Sequence, residues 1–422
     1  MRIFRIKIYL YFFTFIYVFF EKKIKESTLS FYFRQRINKR FYFYTSQLRS
    51  SFLILLLYLK EKYKNKNEIL ICSYNLKEMV NIAYQLRYKI IFYDIGVNGT
   101  PSIDEIKKKI NAKTSCVLLT NIYNDFNFSN KLKKICKERK VALIEDSAIS
   151  FDNFSIKNNL KIYSGSFGDY SLLSFNIMKN ISALYGGAIA TNDRNFINYA
   201  NNLLNKKNYS FSKLLYIRQI LIYLLLKLFS INFLYKYFFY YLFYFSNKYK
   251  IKFIETLIYP SLRFKMIQIP YYYFSRIVPF SKKLIYFQLK NIKQRDENHK
   301  IRKQNNIYYF KKIKQLNLSN IKAINISDFN FQNFLDFPVL FNDKNSIHNY
   351  LLIKGFETKK INYFNCSKFF KSKIKNNFKN SEKLENELLC LPNNNKINQK
   401  YIDQLFEHIE NFYLINNKKS FN

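Results

Sequence analysis

Tryptophan is absent from this 422-residue chain, and glycine (7), proline (6), cysteine (5) and histidine (3) are all scarce. The cysteines (Cys72, Cys116, Cys136, Cys366 and Cys390) are odd in number, widely spaced and form no CxxC. They read as reduced, buried cytosolic thiols, not as a disulfide framework. His299, His348 and His408 all lie late in the chain without H-x-x-x-H spacing, so neither a metal site nor a Ser-His-Asp triad is expected. Acidic residues are few as well: 28 against 70 basic ones, a net charge of +42. Lys, Asn, Ile, Phe and Tyr are inflated together while Gly, Pro and Ala are depleted, the signature of AT-rich codons. The basicity therefore reads as compositional drift, and no RNP-type or zinc-finger pattern supports a nucleic-acid partner.

Long apolar runs are missing too. The uncharged run from Ile8 to Phe20 is short for a bilayer span. It fits either a weak interfacial anchor or a buried aromatic helix. Leu214 to Phe245 is denser in Leu, Phe and Tyr, but Arg218, Lys227 and Lys236 divide it. Successive members of that trio would point to opposite faces of one helix, so a hairpin broken near Ser230-Ile231-Asn232, lying on a membrane or a partner subunit, is the better expectation.

What glycine there is falls together. Four of the seven lie between Gly165 and Gly187, and Lys179 sits in the same window. Glycine serves where a backbone needs φ > 0 or close approach to a ligand, so the window marks a site. Around it, short continuous apolar runs alternate with helical stretches. Strands are predicted at Glu68–Ser73, Ile90–Asp94, Cys116–Thr120, Ala142–Glu145, Ser171–Phe175 and Gly187–Thr191, with helices at Ser102–Ile110 and Ser129–Arg139. That is the pattern of an α/β domain with a mostly parallel sheet, whose ligands gather at the carboxyl ends of the strands. Asp146 and Lys179 both follow predicted strand ends. A lysine amine can form a Schiff base and a buried aspartate can keep a pyridine nitrogen protonated, the two protein groups that pyridoxal phosphate chemistry needs. Further on, Lys282–Gln315 reads as one long helix opening a second domain, and Gln399–Tyr413 as the last helix.

The segments Ile144-Glu145-Asp146-Ser-Ala-Ile-Ser, Gly165-Ser-Phe-Gly168-Asp, Ser174-Phe-Asn-Ile-Met-Lys179-Asn and Gly186-Gly-Ala-Ile-Ala-Thr-Asn-Asp193 together resemble the DegT/DnrJ/EryC1/StrS aminotransferases. Thr114, Arg276, Phe287-Gln288-Leu289 with Arg295 and Arg302, and Leu389-Cys-Leu-Pro392 extend the resemblance. It implies an aspartate-aminotransferase-like fold type I, with a mostly parallel large domain and a smaller α+β C-terminal domain. The expected organisation is an N-terminal segment 1–42, a cofactor domain 43–204, an aromatic-rich insertion 205–268 and a small domain 269–422. The resemblance implies pyridoxal 5′-phosphate as cofactor, Lys179 as its catalytic lysine, Asp146 at the ring nitrogen, Ser174 at the phosphate and Tyr74 as the only aromatic available to stack. Thr45 to Ser51, with Ser50 and Ser51, stands where the family opens its phosphate-binding helix. Gly165 and Gly168 would turn the backbone beside the cofactor, and Tyr185, Phe274 and Arg276 would form the substrate or partner-subunit rim. The implied reaction passes an amino group, from glutamate, to a keto sugar nucleotide for surface polysaccharide or lipopolysaccharide. A cytoplasmic homodimer is implied, with peripheral membrane contact through the insertion. Ile149, Tyr185 and Phe274 replace polar residues of the family pattern, which leaves a degenerate, non-catalytic, membrane-associated member as the alternative. A dehydratase of the same family would carry histidine at position 179.

Overall fold

The computed structural model describes residues 2–123, 126–207, 209–249, 251, 268–324, 335–360, 363–370 and 378–419. The later part of the expected insertion, residues 252–267 with Pro260, lies outside the described residues. Seven strands form the main sheet: β1 (Phe41–Thr45), β2 (Glu68–Cys72), β3 (Lys89–Tyr93), β4 (Thr114–Thr120), β5 (Ala142–Asp146), β6 (Tyr170–Ser174) and β7 (Gly187–Thr191). Their order is β1-β7-β6-β5-β4-β2-β3. The block from β6 to β3 is parallel throughout, while β7 is antiparallel to both its neighbours, β6 and β1. β2, β5, β6 and β7 are buried along their whole length, as strands covered on both faces must be. Their continuous apolar runs are therefore what made them legible.

A second, antiparallel sheet holds β8 (Ile321–Ala323), β9 (Asp336–Phe341), β10 (Lys359–Lys360) and β11 (Leu388–Pro392), in the order β8-β9-β11-β10. It shares one apolar core with one face of the main sheet, including Leu70, Val117, Leu143, Val339 and Leu391. The opposite face packs on a helix, Leu48–Lys62, through Phe52, Leu55 and Leu59.

The expected single helix over Lys282–Gln315 is two helices, Pro279–Lys290 and Ile292–Leu316. Asn291 ends the first with non-helical backbone, and its side-chain oxygen accepts the Gln294 N–H, capping the second. The aromatic stretch also breaks, as expected. Lys213–Phe229 and Asn232–Ser246 are bent by 80°. No single helix among the described residues is long and apolar enough to cross a membrane.

Residues 4–10 of the N-terminal run are neither helix nor strand, and all of them but Lys7 are buried; only Phe12–Phe20 is helical. This segment packs against the aromatic stretch. Tyr223 donates to the Leu10 carbonyl, and the Phe15 and Tyr223 rings lie 4.8 Å apart.

Candidate functional site

The carboxyl edge of the main sheet gathers the chemistry. Because β1 and β7 run antiparallel, Thr45 at the end of β1 faces Gly187 at the start of β7, and Gly187 faces Ser174 at the end of β6. Asp146 ends β5 on the same edge, opposite Thr120 of β4. These residues are up to 142 positions apart, yet strand polarity brings them onto one edge.

Asp146 is 3% exposed, and its Oδ1 accepts the Ala148 N–H at 2.9 Å. Burial pushes its pKa up to about 6, while the Ala148 N–H and the Lys179 ammonium pull the other way. Lys179 follows β6 in a turn whose backbone closes from the Lys179 N–H to the Asn176 carbonyl at 3.0 Å. Its pKa falls to about 8: burial lowers it most, the Asp146 carboxylate opposes this, and Lys359 and Arg49 add to the fall. An amine with a pKa near neutrality is an available nucleophile and proton carrier, and a buried carboxylate beside it is ready to receive a cation.

Side chains remote in sequence hold the lysine turn. Gln288 clamps Ser182, accepting its N–H at 2.9 Å and donating to its carbonyl at 2.6 Å. Ser281 donates to the Ala183 carbonyl at 2.8 Å. Arg302, 1% exposed, donates to the Asn180 amide oxygen at 2.7 Å and to the Tyr9 hydroxyl oxygen at 2.8 Å. The "Phe-Gln-Leu…Arg" helix pattern was legible in the sequence, but its task of fastening the Lys179 turn was not.

The helix Leu48–Lys62 starts at this edge. Ser50 and Ser51 are both fully buried. Ser51 Oγ lies 2.7 Å from Thr45 Oγ1, Ser50 Oγ lies 3.2 Å from Ser46 Oγ, and Ser275 donates to Ser46 Oγ at 2.8 Å. A hydroxyl cluster at the N-terminus of a fifteen-residue helix suits an anion. Gly187 lets β7 approach it, since a Cβ there would lie 2.4 Å from the Gln47 carbonyl carbon and 2.5 Å from the Leu48 nitrogen. Arg49 projects from the first turn, 37% exposed, 3.4 Å from the Tyr273 hydroxyl and 3.8 Å from Glu78. The Tyr185 hydroxyl feels the Arg49 charge, so Tyr185 belongs to this rim.

Two expectations need correction. Gly165 and Gly168 do make a tight turn, with Gly165 at φ +94°, but it wraps the buried Glu145 carboxylate. That carboxylate accepts N–H groups from Gly165 (2.7 Å), Phe167 (2.9 Å) and Gly168 (2.9 Å), so these donors are already engaged. Tyr74 is 1% exposed and lies behind Tyr363, ring centroids 5.6 Å apart. It is Tyr363, from the C-terminal part, whose hydroxyl feels the Asp146 charge; no local motif signals that residue. Phe274 and Arg276, expected on the rim, line a mostly apolar cavity of about 560 Å³, and the Arg276 backbone bridges to Thr45 at the end of β1. There Arg276 donates to the side chains of Asn201 and Asn205.

Among the described residues no group of acidic, histidine or cysteine side chains is arranged to hold a metal ion. The groups at the edge fit pyridoxal phosphate: an amine lowered toward neutrality, a buried carboxylate beside it, and a serine-lined helix N-terminus across one strand.

Residues 45–212 match the model of the DegT/DnrJ/EryC1/StrS aminotransferase family. GDP-perosamine synthase of Vibrio cholerae is 31% identical over 127 residues, 30% of this chain and 34% of that protein. The UDP-4-amino-4,6-dideoxy-N-acetyl-β-L-altrosamine transaminase of Helicobacter pylori is 27% identical over 146 residues, 34% of this chain and 37% of that protein. The chain thus spans about a third of the length of the curated relatives it matches. The fold likeness is wider. PseC of Helicobacter pylori, an aminotransferase of pseudaminic acid biosynthesis, superposes with a TM-score of 0.70 at 14% identity, over 97% of this chain and 98% of that one. E. coli GDP-4-keto-6-deoxy-D-mannose-3-dehydratase with bound hydrated pyridoxal phosphate gives 0.66 at 17% identity, over 96% and 100%. The architecture is the fold of these solved proteins, and it is residues 45–212 that resemble the DegT/DnrJ/EryC1/StrS aminotransferase family in sequence.

Proposed function

We propose that this protein is a pyridoxal-phosphate-dependent aminotransferase that moves an amino group from glutamate to a keto sugar nucleotide for surface polysaccharide or lipopolysaccharide. The observation that carries the reading is the buried Asp146, with its pKa near 6, together with the half-buried Lys179, with its pKa near 8, each just past a strand end. The family match and the sugar transaminases among its relatives support the substrate class. Pyridoxal phosphate, when bound, supplies an aldehyde and an electron-withdrawing ring.

Asp146 would hold a proton on the ring nitrogen, its carboxylate favoured once a cation stands beside it. Lys179 would carry the proton between the substrate carbon and the cofactor, which its lowered pKa allows at neutral pH. Ser174, Ser50 and Ser51 would hold the phosphate with the helix N-terminus. Tyr185, Phe274 and Arg276 would meet the substrate or the second subunit of a homodimer. The protein would work in the cytoplasm, at the inner face of the membrane.

Purified protein mixed with pyridoxal phosphate should gain an absorption band near the visible edge, and Lys179→Ala should lack it. Identical spectra for the two would overturn the reading. A panel of keto sugar nucleotides, with glutamate as donor, then identifies the acceptor.

A further inference from the structure

From Arg194 to Ile254 the sequence has ten lysines and arginines and no acidic residue, and from Arg2 to Phe20 it again has basic residues and no acidic one. The fold brings these two segments, about two hundred positions apart, together. Arg2 donates to the Lys236 carbonyl and the Tyr241 hydroxyl oxygen (2.8 Å), and its guanidinium stands 4.4 Å from the Tyr240 ring centroid. Lys227 reaches the Ile8 carbonyl at 3.5 Å.

The helix Lys213–Phe229 is two-sided. Gln219, Tyr223 and Leu226 point inward, and Gln219 donates to Asn176 in the turn before Lys179 at 3.1 Å. The outward stripe is Leu214, Ile217, Leu221, Leu224, Leu228 and Ile231, spaced three and four apart and 36–76% exposed. It continues past the bend as Phe233 (64% exposed) and Phe238 (61%). On the neighbouring N-terminal helix, Phe15 and Val18 are buried while Phe13 and Phe20 stand 84% and 85% exposed. Exposed apolar surface on this scale marks a binding face.

We infer that the helix Phe12–Phe20 and the bent pair Lys213–Phe229 and Asn232–Ser246 form one composite face that docks on an anionic lipid surface, lying in the interface without crossing it. Three observations select that occupant. A helix of seventeen residues is shorter than a bilayer core, and its inner side is bonded to protein, so lipid can reach only the outer side. Large aromatic side chains share the outer face with leucines, the composition of an interfacial helix. Within the segments Arg2–Phe20 and Arg194–Ile254 every charge is positive, the sign that anionic headgroups attract, with Glu21 at the end of the helix Phe12–Phe20 the nearest acidic residue in sequence. The inference concerns the surface alone and does not depend on the aminotransferase reading.

Flotation of the full chain with vesicles tests it. The protein should float with phosphatidylcholine vesicles containing phosphatidylglycerol, less as salt rises, and poorly with phosphatidylcholine alone. The variant Leu221→Glu/Phe233→Glu changes two exposed positions and should cut binding at least about tenfold. The pyridoxal phosphate band checks that the variant has folded, and a wild-type chain that floats without the band would sink the enzyme reading only. Absence of flotation by the wild type, or equal flotation by the folded variant, overturns the lipid surface. Equal flotation with the two vesicle types overturns its anionic character. A variant that turns monomeric, from a wild type that never floats, would assign the face to a second copy instead.

Discussion

Gly187→Ala offers a sharp test of how the site is built. The added Cβ would stand 2.4 Å from the Gln47 carbonyl carbon, 2.5 Å from the Leu48 nitrogen and 2.6 Å from the Gln47 oxygen. All three are backbone atoms at the start of the helix Leu48–Lys62, so no rotamer change relieves the clash. Restoring ordinary contact requires β7 and that helix start to part by about 1 Å, and overpacking of this kind costs about 1–3 kcal/mol or more. The neighbouring Gly186→Ala is the control. Its Cβ would meet only side chains, Ile277 Cδ1 at 3.2 Å and Phe175 Cβ at 3.3 Å, which can yield by tenths of an ångström. Neither glycine has positive φ, and the unfolded-state gain of Gly→Ala, about 0.4–1 kcal/mol, is common to both. Urea unfolding should therefore show Gly187→Ala about 2 kcal/mol less stable than Gly186→Ala. Titration with pyridoxal phosphate should show at least about tenfold weaker binding for Gly187→Ala, because the displaced helix start carries Ser50 and Ser51. Equal unfolding midpoints, or unchanged affinity in Gly187→Ala, would refute the claim that close approach at this rung shapes the anion site.

Gln288→Ala should lower stability by about 1–2 kcal/mol through its lost bonds to Ser182 and should weaken pyridoxal phosphate binding severalfold, read by the absorption band; a folded variant with wild-type affinity would remove Gln288 as a positioning residue. Asp152 sits buried among Arg295 (3.2 Å), Arg36 (2.9 Å) and His299 (3.5 Å), and the two guanidinium charges hold its carboxyl below the usual range. Asp152→Asn keeps a residue that tolerates its φ of +75° and isolates the charge, and should cost about 3–5 kcal/mol in urea unfolding; a loss under about 1 kcal/mol would contradict it. For Asp146 the folded pKa is raised from 3.8 to about 6, so its contribution is complete below pH 4 and is lost as pH rises through 6. The cofactor-free Asp146→Asn variant should thus gain stability relative to wild type between pH 4 and 6, and a pH-independent difference would overturn that assignment.

Much of the large domain was legible because parallel strands covered on both faces leave continuous apolar runs. Six of the seven strands were expected within about two residues of where they lie; β1, at the sheet edge, was not. Asp146 and Lys179 were legible by their positions after strand ends. Gly165 and Gly168 were legible as a turn, but not as a turn around Glu145, because a cluster of glycines states that backbone must bend and not which group fills the bend. Tyr363 escaped because it lies 217 residues from Asp146 with no motif around it. Asn291 was read as helix interior because its apolar neighbours keep a helical period across the break.

The sequence by itself determined the alternation of buried strands and helices, the glycine-marked lysine and the absence of metal-binding or disulfide patterns, since these follow from local periodicity and residue chemistry. Tertiary structure alone decided which distant groups meet. Gln288, Ser281 and Arg302 hold the Lys179 turn, Tyr363 stands near Asp146, and the N-terminal aromatic helix joins the broken insertion in one apolar face. Each of these depends on packing between segments that no local pattern relates: contact across a core is set by strand order and helix docking, and a linear sequence records neither.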